Sequence, residues 1–229
     1  MVAAKVRCYG SSLVGFNWDK RRKNEMSCGV FTEVQFILNH IIPKNLEGVK
    51  VLDLGIGFGF YGWALKAHGS QGTPDEAKEF TGAPYIIGVE INQKRAAHTR
   101  KYGLYDEVHT LDVTKELPLD EYGVIILSHL IEHLSKAEAF TLLDRLEKMC
   151  TGVIVVACPY GDSCGPMAKS YDSHISAWTE KDFTPLGYKT RHMRFSHRAG
   201  RVVALFEAFW YWLRGKRRGG ILVAWRDYR

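Results

Sequence analysis

Short apolar runs alternate with polar segments along the middle of this 229-residue chain. The most distinct run covers residues 51–54, and glycines follow it at alternate positions: Gly55, Gly57 and Gly59. Such a run is typical of a buried parallel strand, and the residues beyond the glycines have a helix-compatible composition. The pattern predicts a strand that turns through a tight loop into a helix N-terminus. Glycine suits this loop because its backbone takes positive φ and approaches a ligand without a Cβ.

Similar runs along the rest of the chain predict the other strands. They cover residues 85–90, 107–113, 122–128 and 152–157, and a hairpin pair follows at 188–195 and 221–228. Because helical segments separate most of these runs, the sequence predicts an α/β fold built on an open parallel sheet.

The helices are predicted from apolar spacing and from capping residues. A lead helix is expected between residues 26 and 42, a polar helix over 93–102 and an amphipathic helix over 137–149. Thr179 and Asp182 have the spacing of a capping box at the start of another helix.

Carboxylates come at or near the ends of three predicted strands. They are Asp53, Glu90 and Asp112. The carboxyl ends of parallel strands meet at one edge of a sheet, where α/β proteins bind their ligands. An acid placed like Glu90 can accept two hydrogen bonds from ribose hydroxyls, so the sequence predicts a nucleoside-containing ligand at this edge.

Two ligand classes use a glycine loop of this kind. Residues 57–62 match the dinucleotide fingerprint G-x-G-x-x-G, which makes an NAD-dependent oxidoreductase one alternative. Asp53 would place a negative charge near the phosphates of such a ligand, whereas a cationic ligand would be attracted by it.

The segment acid-x-Gly-x-Gly-x-Gly at residues 53–59 resembles motif I of the class I S-adenosylmethionine-dependent methyltransferases. The resemblance implies a doubly wound, Rossmann-like sheet of seven strands, mostly parallel with an antiparallel last strand, and helices on both faces. It also implies S-adenosylmethionine as cofactor, with Asp53 near its amino-acid end, the glycines beneath it and Asp112 with the Val113 amide at the adenine. The implied cofactor residues are Asp53, Gly55, Gly57, Gly59, Glu90, Ile91, Asp112, Val113 and Ser128.

Residues 128–134, S-H-L-I-E-H-L, are expected to open the helix after the fourth strand. Their E-H-L is similar to a segment that borders the methyl-transfer site in many small-molecule, quinone and glycan methyltransferases. Residues 172–183, with His174, also look like a passage of these enzymes. The resemblance implies catalytic roles for Glu132, His133 and His174: one histidine would act as general base and Glu132 would orient an imidazole.

The same segment spells H-x-x-E-H, with His129, Glu132 and His133 on one face of the expected helix. The string matches the inverted zinc-protease motif. It is also similar to E-x-x-E-H in the metal-dependent small-RNA terminal 2′-O-methyltransferases, although His129 stands where that family has Glu. We expect no metal here. The alternative is an ion held by His129, Glu132, His133 and His174, for which imidazoles favour Zn²⁺ or another transition ion over Mg²⁺.

The net charge of +6 is unevenly distributed. Residues 1–24 carry +5, residues 186–229 carry +9 and the segment between them carries −8. We expect a basic arm and the lead helix in residues 1–45, and one methyltransferase-like domain over 46–229 with a helical insertion at about 198–218. Two basic ends predict contact with an anionic partner.

The insertion contains the apolar segment 201–213, which basic residues flank. It is too short to span a bilayer, and it fits either a membrane interface or a helix that covers the sheet or a dimer contact. Residues near Met1 show no signal-peptide core, and the five cysteines have no regular spacing. We therefore expect a cytoplasmic protein with reduced thiols. If segment 201–213 lies in a membrane interface, the protein would also be peripheral to the membrane.

The sequence therefore favours transfer of a methyl group to an O or N nucleophile of an anionic small-molecule, glycan or lipid-linked acceptor. Three alternatives stay open: a metal-assisted RNA 2′-O-methyltransferase, an NAD-dependent oxidoreductase and a methyltransferase-like module that binds without catalysis.

Overall fold

The computed structural model describes residues 29–68, 84–161, 173–194 and 220–229. The predicted basic arm and the whole predicted insertion at about 198–218, with its apolar segment 201–213, lie outside these ranges. Within the described ranges, none of the helices combines the length and the hydropathy that a membrane span requires.

A seven-stranded sheet is the centre of the described structure. In chain order its strands are β1 (Lys50–Leu54), β2 (Tyr85–Val89), β3 (Glu107–His109), β4 (Tyr122–Ser128), β5 (Cys150–Pro159), β6 (Lys189–Arg194) and β7 (Gly220–Asp227). Their spatial order is β3-β2-β1-β4-β5-β7-β6. The pairs from β3 to β5 are parallel, while β7 is antiparallel to both β5 and β6. This confirms the predicted doubly wound, Rossmann-like sheet.

Helices cover both faces of the sheet. They are α1 (Gly29–His40), α2 (Phe60–His68), α3 (Gln93–Lys101), α4 (Lys136–Glu147) and α5 (Glu180–Phe183). Side chains alternate between the two faces of a strand, so β1 sends Val51 toward the core that includes α1 and α2, and Leu52 toward the core that includes α4. The central strands are mainly apolar because neither face meets water, and the buried Asp53 of β1 is the exception that belongs to the site.

The predicted helix over the S-H-L-I-E-H-L segment is wrong. β4 continues to Ser128, and His129 still donates its backbone N–H to the Ala157 carbonyl of β5 at 2.8 Å. His129 then takes a positive φ of 52°, which a helix does not allow, and only a 3₁₀ turn at Ile131–His133 follows. His129, Glu132 and His133 therefore do not share a helical face.

Helix α4 begins after this segment because Ser135 caps it. The Ser135 side chain accepts from the Glu138 N–H, and the Glu138 carboxylate accepts from the Ser135 N–H at 2.9 Å, which completes a capping box. The third strand is also shorter than predicted: β3 ends at His109, so Asp112 lies in the connection beyond it.

Both cysteines in the described ranges, Cys150 and Cys158, are buried free thiols, as predicted. Burial raises the pKa of each thiol, so neither is poised as a nucleophile.

Replacing Ser135 by Ala should destabilise the protein by about 1 kcal/mol, because the first turn of α4 loses its cap. Thr141→Ala is the matched control, since Thr141 lies inside the same helix and its hydroxyl only donates to the Ala137 carbonyl one turn back. Urea unfolding of both variants measures the difference. Equal stability of the two variants would show that the Ser135 cap does not stabilise the first turn of α4.

Candidate active site

The glycine loop connects β1 to α2, as predicted. Gly55, Gly57 and Gly59 have φ values of 76°, 52° and 84°, a region that side-chain-bearing residues rarely adopt. The Gly55 N–H donates to the Val89 carbonyl at 2.8 Å, which joins the loop to the end of β2. A Cβ on Gly57 would meet nothing within 4 Å, so the middle of the loop borders open space. This is the surface on which a ligand would lie.

Glu90 follows β2 directly and reaches this loop. Its Oε2 accepts from the Gly57 N–H at 2.9 Å and its Oε1 accepts from the Asn92 N–H at 2.8 Å. The side chain of Ile91 next to it is exposed. Two carboxylate oxygens offer about four acceptor positions, so Glu90 can still receive ribose hydroxyls while it holds the loop.

Asp53 lies beneath the loop, 2% exposed. Its Oδ2 accepts from the Tyr105 hydroxyl at 2.6 Å, and the Tyr105 oxygen accepts in turn from the Gly62 N–H at 3.0 Å. Burial raises the pKa of Asp53 to about 7, the Tyr105 hydrogen bond opposes the rise and the charge of Glu90 adds to it. The structure therefore brings Asp53 and Glu90 together: both are buried, Asp53 bonded to Tyr105 beneath the loop and Glu90 bonded to the Gly57 amide in the middle of the loop.

Asp112 and Val113 lie beside the end of β3. The Asp112 carboxylate accepts from the backbone and the hydroxyl of Thr114, at 3.1 Å and 2.7 Å, and forms an ion pair with Lys115. The Thr114 hydrogen bond is the main cause that lowers the pKa of Asp112. Val113 is buried and packs into the core. Among the described contacts, Asp112 holds its own turn and does not touch the Glu90 carboxylate.

Sequence reasoning missed Glu33. This residue of α1 is completely buried, and its Oε1 accepts from the hydroxyls of Tyr61 and Ser128, both at 2.8 Å. Its Oε2 lies 3.1 Å from His129 Nε2. The sequence did contain an indication of this residue: Glu33 is a single carboxylate on the apolar face of the lead helix. A charge in such a position is rarely buried without a partner, so a buried partner could have been expected.

His129 lies between two buried carboxylates. Its Nε2 faces Glu33 and its Nδ1 lies 3.2 Å from Glu132 Oε1, so both ring nitrogens donate when the ring is charged. Burial alone lowers the pKa of an imidazole, but the hydrogen bonds and the negative charges of Glu132 and Glu33 raise the pKa of His129 to about 10. The side chain is an imidazolium that connects α1 to the 3₁₀ turn.

Glu132, His133 and His174 are brought together as the sequence predicted. One ligand atom from each lies within 4.8 Å of the other two. The rings of His133 and His174 meet edge to face with centroids 4.8 Å apart, and His133 Nδ1 lies 3.1 Å from the Ser173 carbonyl. Burial lowers the pKa of His174. Within the described chain, Glu132 Oε2 is a buried oxygen with no hydrogen-bond partner.

Backbone hydrogen bonds hold the loop that carries His174 against the 3₁₀ turn. The N–H groups of Ile175 and Ser176 both donate to the Glu132 carbonyl, at 2.8 Å and 3.2 Å. The buried Trp178 donates its indole N–H to the Ser176 hydroxyl at 2.8 Å. The predicted capping box of Thr179 and Asp182 then starts α5. His174 is therefore placed by fixed contacts, although it is 41 residues from His133 in the sequence.

Comparison with known proteins establishes the fold. No family model matches the sequence, and no curated protein matches it. Solved structures do. A SAM-dependent methyltransferase from Archaeoglobus fulgidus is 19% identical, covering 86% of this chain and 93% of its own, with a TM-score of 0.57. The magnesium protoporphyrin IX methyltransferase of Synechocystis, crystallised with bound SAM, is 17% identical over 86% and 80% of the two chains, with a TM-score of 0.52.

A third similar structure is a cyclopropane synthase from Mycobacterium tuberculosis. It is 13% identical over 90% of this chain and 87% of its own, with a TM-score of 0.56. The chain thus has the fold of the SAM-dependent methyltransferases, as the resemblance in motif I implied.

The raised pKa of Asp53 makes stability depend on pH. Because folding raises this pKa from about 4 to about 7, the stabilising contribution of the carboxyl is complete below pH 4 and is lost as the pH rises toward 7. The stability of the wild type relative to Asp53→Asn should therefore fall between pH 4 and pH 7, by up to about 1.4 kcal/mol per pH unit.

Urea unfolding across this pH range measures the effect. Asp112→Asn is the control, since the pKa of Asp112 is lowered and gives no such fall. A stability difference for Asp53→Asn that stays constant with pH would contradict the prediction.

Proposed function

We propose that the protein is an S-adenosylmethionine-dependent methyltransferase. One observation carries the proposal: Glu90 holds Gly57 of a positive-φ glycine loop at the carboxyl edge of a sheet with methyltransferase topology. Two solved structures of this fold support it: the magnesium protoporphyrin IX methyltransferase contains bound SAM in one and bound SAH in the other. In this proposal Glu90 binds the ribose, and the loop of Gly55, Gly57 and Gly59 lies beneath the cofactor.

The charge of the site agrees with this cofactor. Asp53 and Glu90 lie close to the glycine loop, and Glu33 and Glu132 share the single positive charge of His129 at the end of β4, which leaves the acids in excess. A sulfonium with an ammonium group is attracted to such surroundings, whereas the pyrophosphate of NAD is repelled. The cofactor brings a methyl group that is already activated, and the protein aligns the acceptor, the methyl carbon and the sulfur and excludes water.

The acceptor that we propose is an O or N nucleophile of an anionic small molecule, glycan or lipid-linked compound. Glu132, His133 and His174 lie after β4 and in the loop that packs against it, so they border the cofactor edge on the side away from Glu90. His133 or His174 would accept the proton of the nucleophile.

Calorimetry tests the cofactor. S-adenosylhomocysteine should bind and NAD should not. Glu90→Gln should weaken S-adenosylhomocysteine binding about 10- to 100-fold, because charged hydrogen bonds to the ribose contribute about 1.5–3 kcal/mol. Glu107→Gln is the control, because this exposed acid lies at the opposite end of the neighbouring strand β3. NAD binding with no S-adenosylhomocysteine binding would favour the oxidoreductase instead.

A screen of cell extract fractions with methyl-labelled cofactor tests catalysis and identifies the acceptor class. His174→Ala should lower turnover by about 10²- to 10⁴-fold and leave S-adenosylhomocysteine affinity nearly unchanged, because His174 acts on the acceptor. His109→Ala is the control, since His109 lies on β3 and pairs with Glu107. Label uptake into RNA ends would favour the RNA alternative, and no uptake into any fraction would favour a binding module.

A further inference from the structure

Glu132, His133 and His174 are arranged closely enough to bind one metal ion, an arrangement that proton transfer alone does not require. Its three ligand atoms face one another within 4.8 Å, and one of them belongs to a buried carboxylate. Glu132 is 1% exposed, and its Oε1 already accepts a hydrogen bond from His129 Nδ1. Its Oε2 has no hydrogen-bond partner in the described chain. A buried carboxylate oxygen with no donor is costly unless a cation or a donor reaches it.

The tautomer of His133 also suits a metal ligand. Because Nδ1 lies 3.1 Å from the Ser173 carbonyl, it carries the proton and donates, so the lone pair is on Nε2. Metal-binding histidines almost always donate their other N–H to a carbonyl or a carboxylate in this way. The backbone contacts of the 173–178 loop hold this carbonyl and His174 against the 3₁₀ turn.

We infer that Glu132, His133 and His174 bind one divalent transition ion of the Zn²⁺ class. Two imidazoles and one carboxylate suit Zn²⁺, Fe²⁺ or Co²⁺, whereas Mg²⁺ prefers a site made of oxygens. Ligands about 2.1 Å from an ion are about 3.4 Å apart in a tetrahedral arrangement, so separations within 4.8 Å would have to close by at most about 1.4 Å on binding.

Three protein ligands leave a position open, as in catalytic zinc sites. This part of the inference rests on the proposed methyl transfer: an ion held here would bind the acceptor hydroxyl at its open position and lower the pKa of that hydroxyl. Both imidazoles would then be ligands, so neither would be the proton acceptor named above, and the hydroxyl proton would leave to solvent. The acceptor oxygen would form a bond to the methyl carbon, and the carbon–sulfur bond would break to give the neutral thioether.

His129 is a positioning residue in this site and not a fourth ligand. Both its nitrogens are engaged, one with Glu33 and one with Glu132 Oε1, so the chain Glu33–His129–Glu132 fixes the carboxylate whose other oxygen binds the ion. These contacts differ from the hypothesis drawn from the sequence, in which His129 was one of four metal ligands. Mutation of a residue that orients a metal ligand in this way typically lowers metal affinity 10- to 100-fold.

Metal analysis of protein purified without a histidine tag tests the site. After dialysis against Zn²⁺ and then buffer, the wild type should retain one Zn²⁺ per chain, and excess Mg²⁺ should not displace it. His174→Ala should lower Zn²⁺ affinity at least 10-fold; its side chain is only half-buried, so folding should be kept. His109→Ala, which changes the exposed His109–Glu107 pair, should bind Zn²⁺ like the wild type.

Equal Zn²⁺ retention by the wild type and His174→Ala, or much less than one ion per chain in the wild type, would overturn the inference. S-adenosylhomocysteine binding is measured on the same samples. If the cofactor binds and Zn²⁺ does not, the metal site is wrong and the proposed function stands; if the cofactor does not bind, the proposed function fails whatever the result with Zn²⁺.

His129→Asn separates positioning from ligation, because Asn tolerates the positive φ at this residue. Zn²⁺ affinity should fall about 10- to 100-fold while one ion per chain still binds at saturation. Circular dichroism and urea unfolding first check that the variant is folded, because the change leaves two buried carboxylates without their shared cation. In the folded variant, an unchanged affinity would contradict the positioning role, and complete loss of binding would make His129 a ligand.

Discussion

The site depends on two buried carboxylates that share one imidazolium. Glu33 and Glu132 are almost completely buried, and each would be strongly destabilising without a countercharge. His129 supplies that charge to both. Breaking a buried pair by removing one partner typically costs about 3–5 kcal/mol, so the interaction fixes α1, the end of β4 and the 3₁₀ turn relative to one another. His129 has a left-handed backbone conformation, which is strained for a residue other than glycine. The contacts of its ring with Glu33 and Glu132 compensate for this strain.

The neighbouring edge of the sheet, at the glycine loop, also carries buried acids. Asp53 and Glu90 are close enough that the charge of Glu90 raises the pKa of Asp53, and Tyr61 lies within electrostatic reach of both Glu33 and Asp53. Tyr105 and the Gly57 amide relieve part of this repulsion in the free protein. A cationic ligand relieves more of it, because an opposite charge stabilises ionised carboxylates. The edge therefore favours a cationic ligand, which agrees with the cofactor proposed above.

Much of the fold and part of the site followed from local pattern. The central strands are buried on both faces, so their apolar runs and the glycines after β1 were visible in the sequence. The S-H-L-I-E-H-L segment was misread because a spacing of three and four residues fits a helix, while the strand pairing of His129 and the cap at Ser135 prevent one. Glu33 was missed because its partners, Ser128 and His129, are 95 and 96 residues away.

The buried apolar strands, the positive-φ glycine loop and the acid after β2 could be predicted from local sequence, since each depends on neighbouring residues. Which charged groups meet depends on contacts between residues far apart in the chain. Long-range packing places Glu33 against His129 and folds the 173–178 loop onto the 3₁₀ turn, so that His174 meets His133. Burial then raises the pKa of Asp53, whereas the carboxylates packed against His129 raise its pKa against the effect of burial. Both causes arise from the assembled chain and are absent from any local pattern.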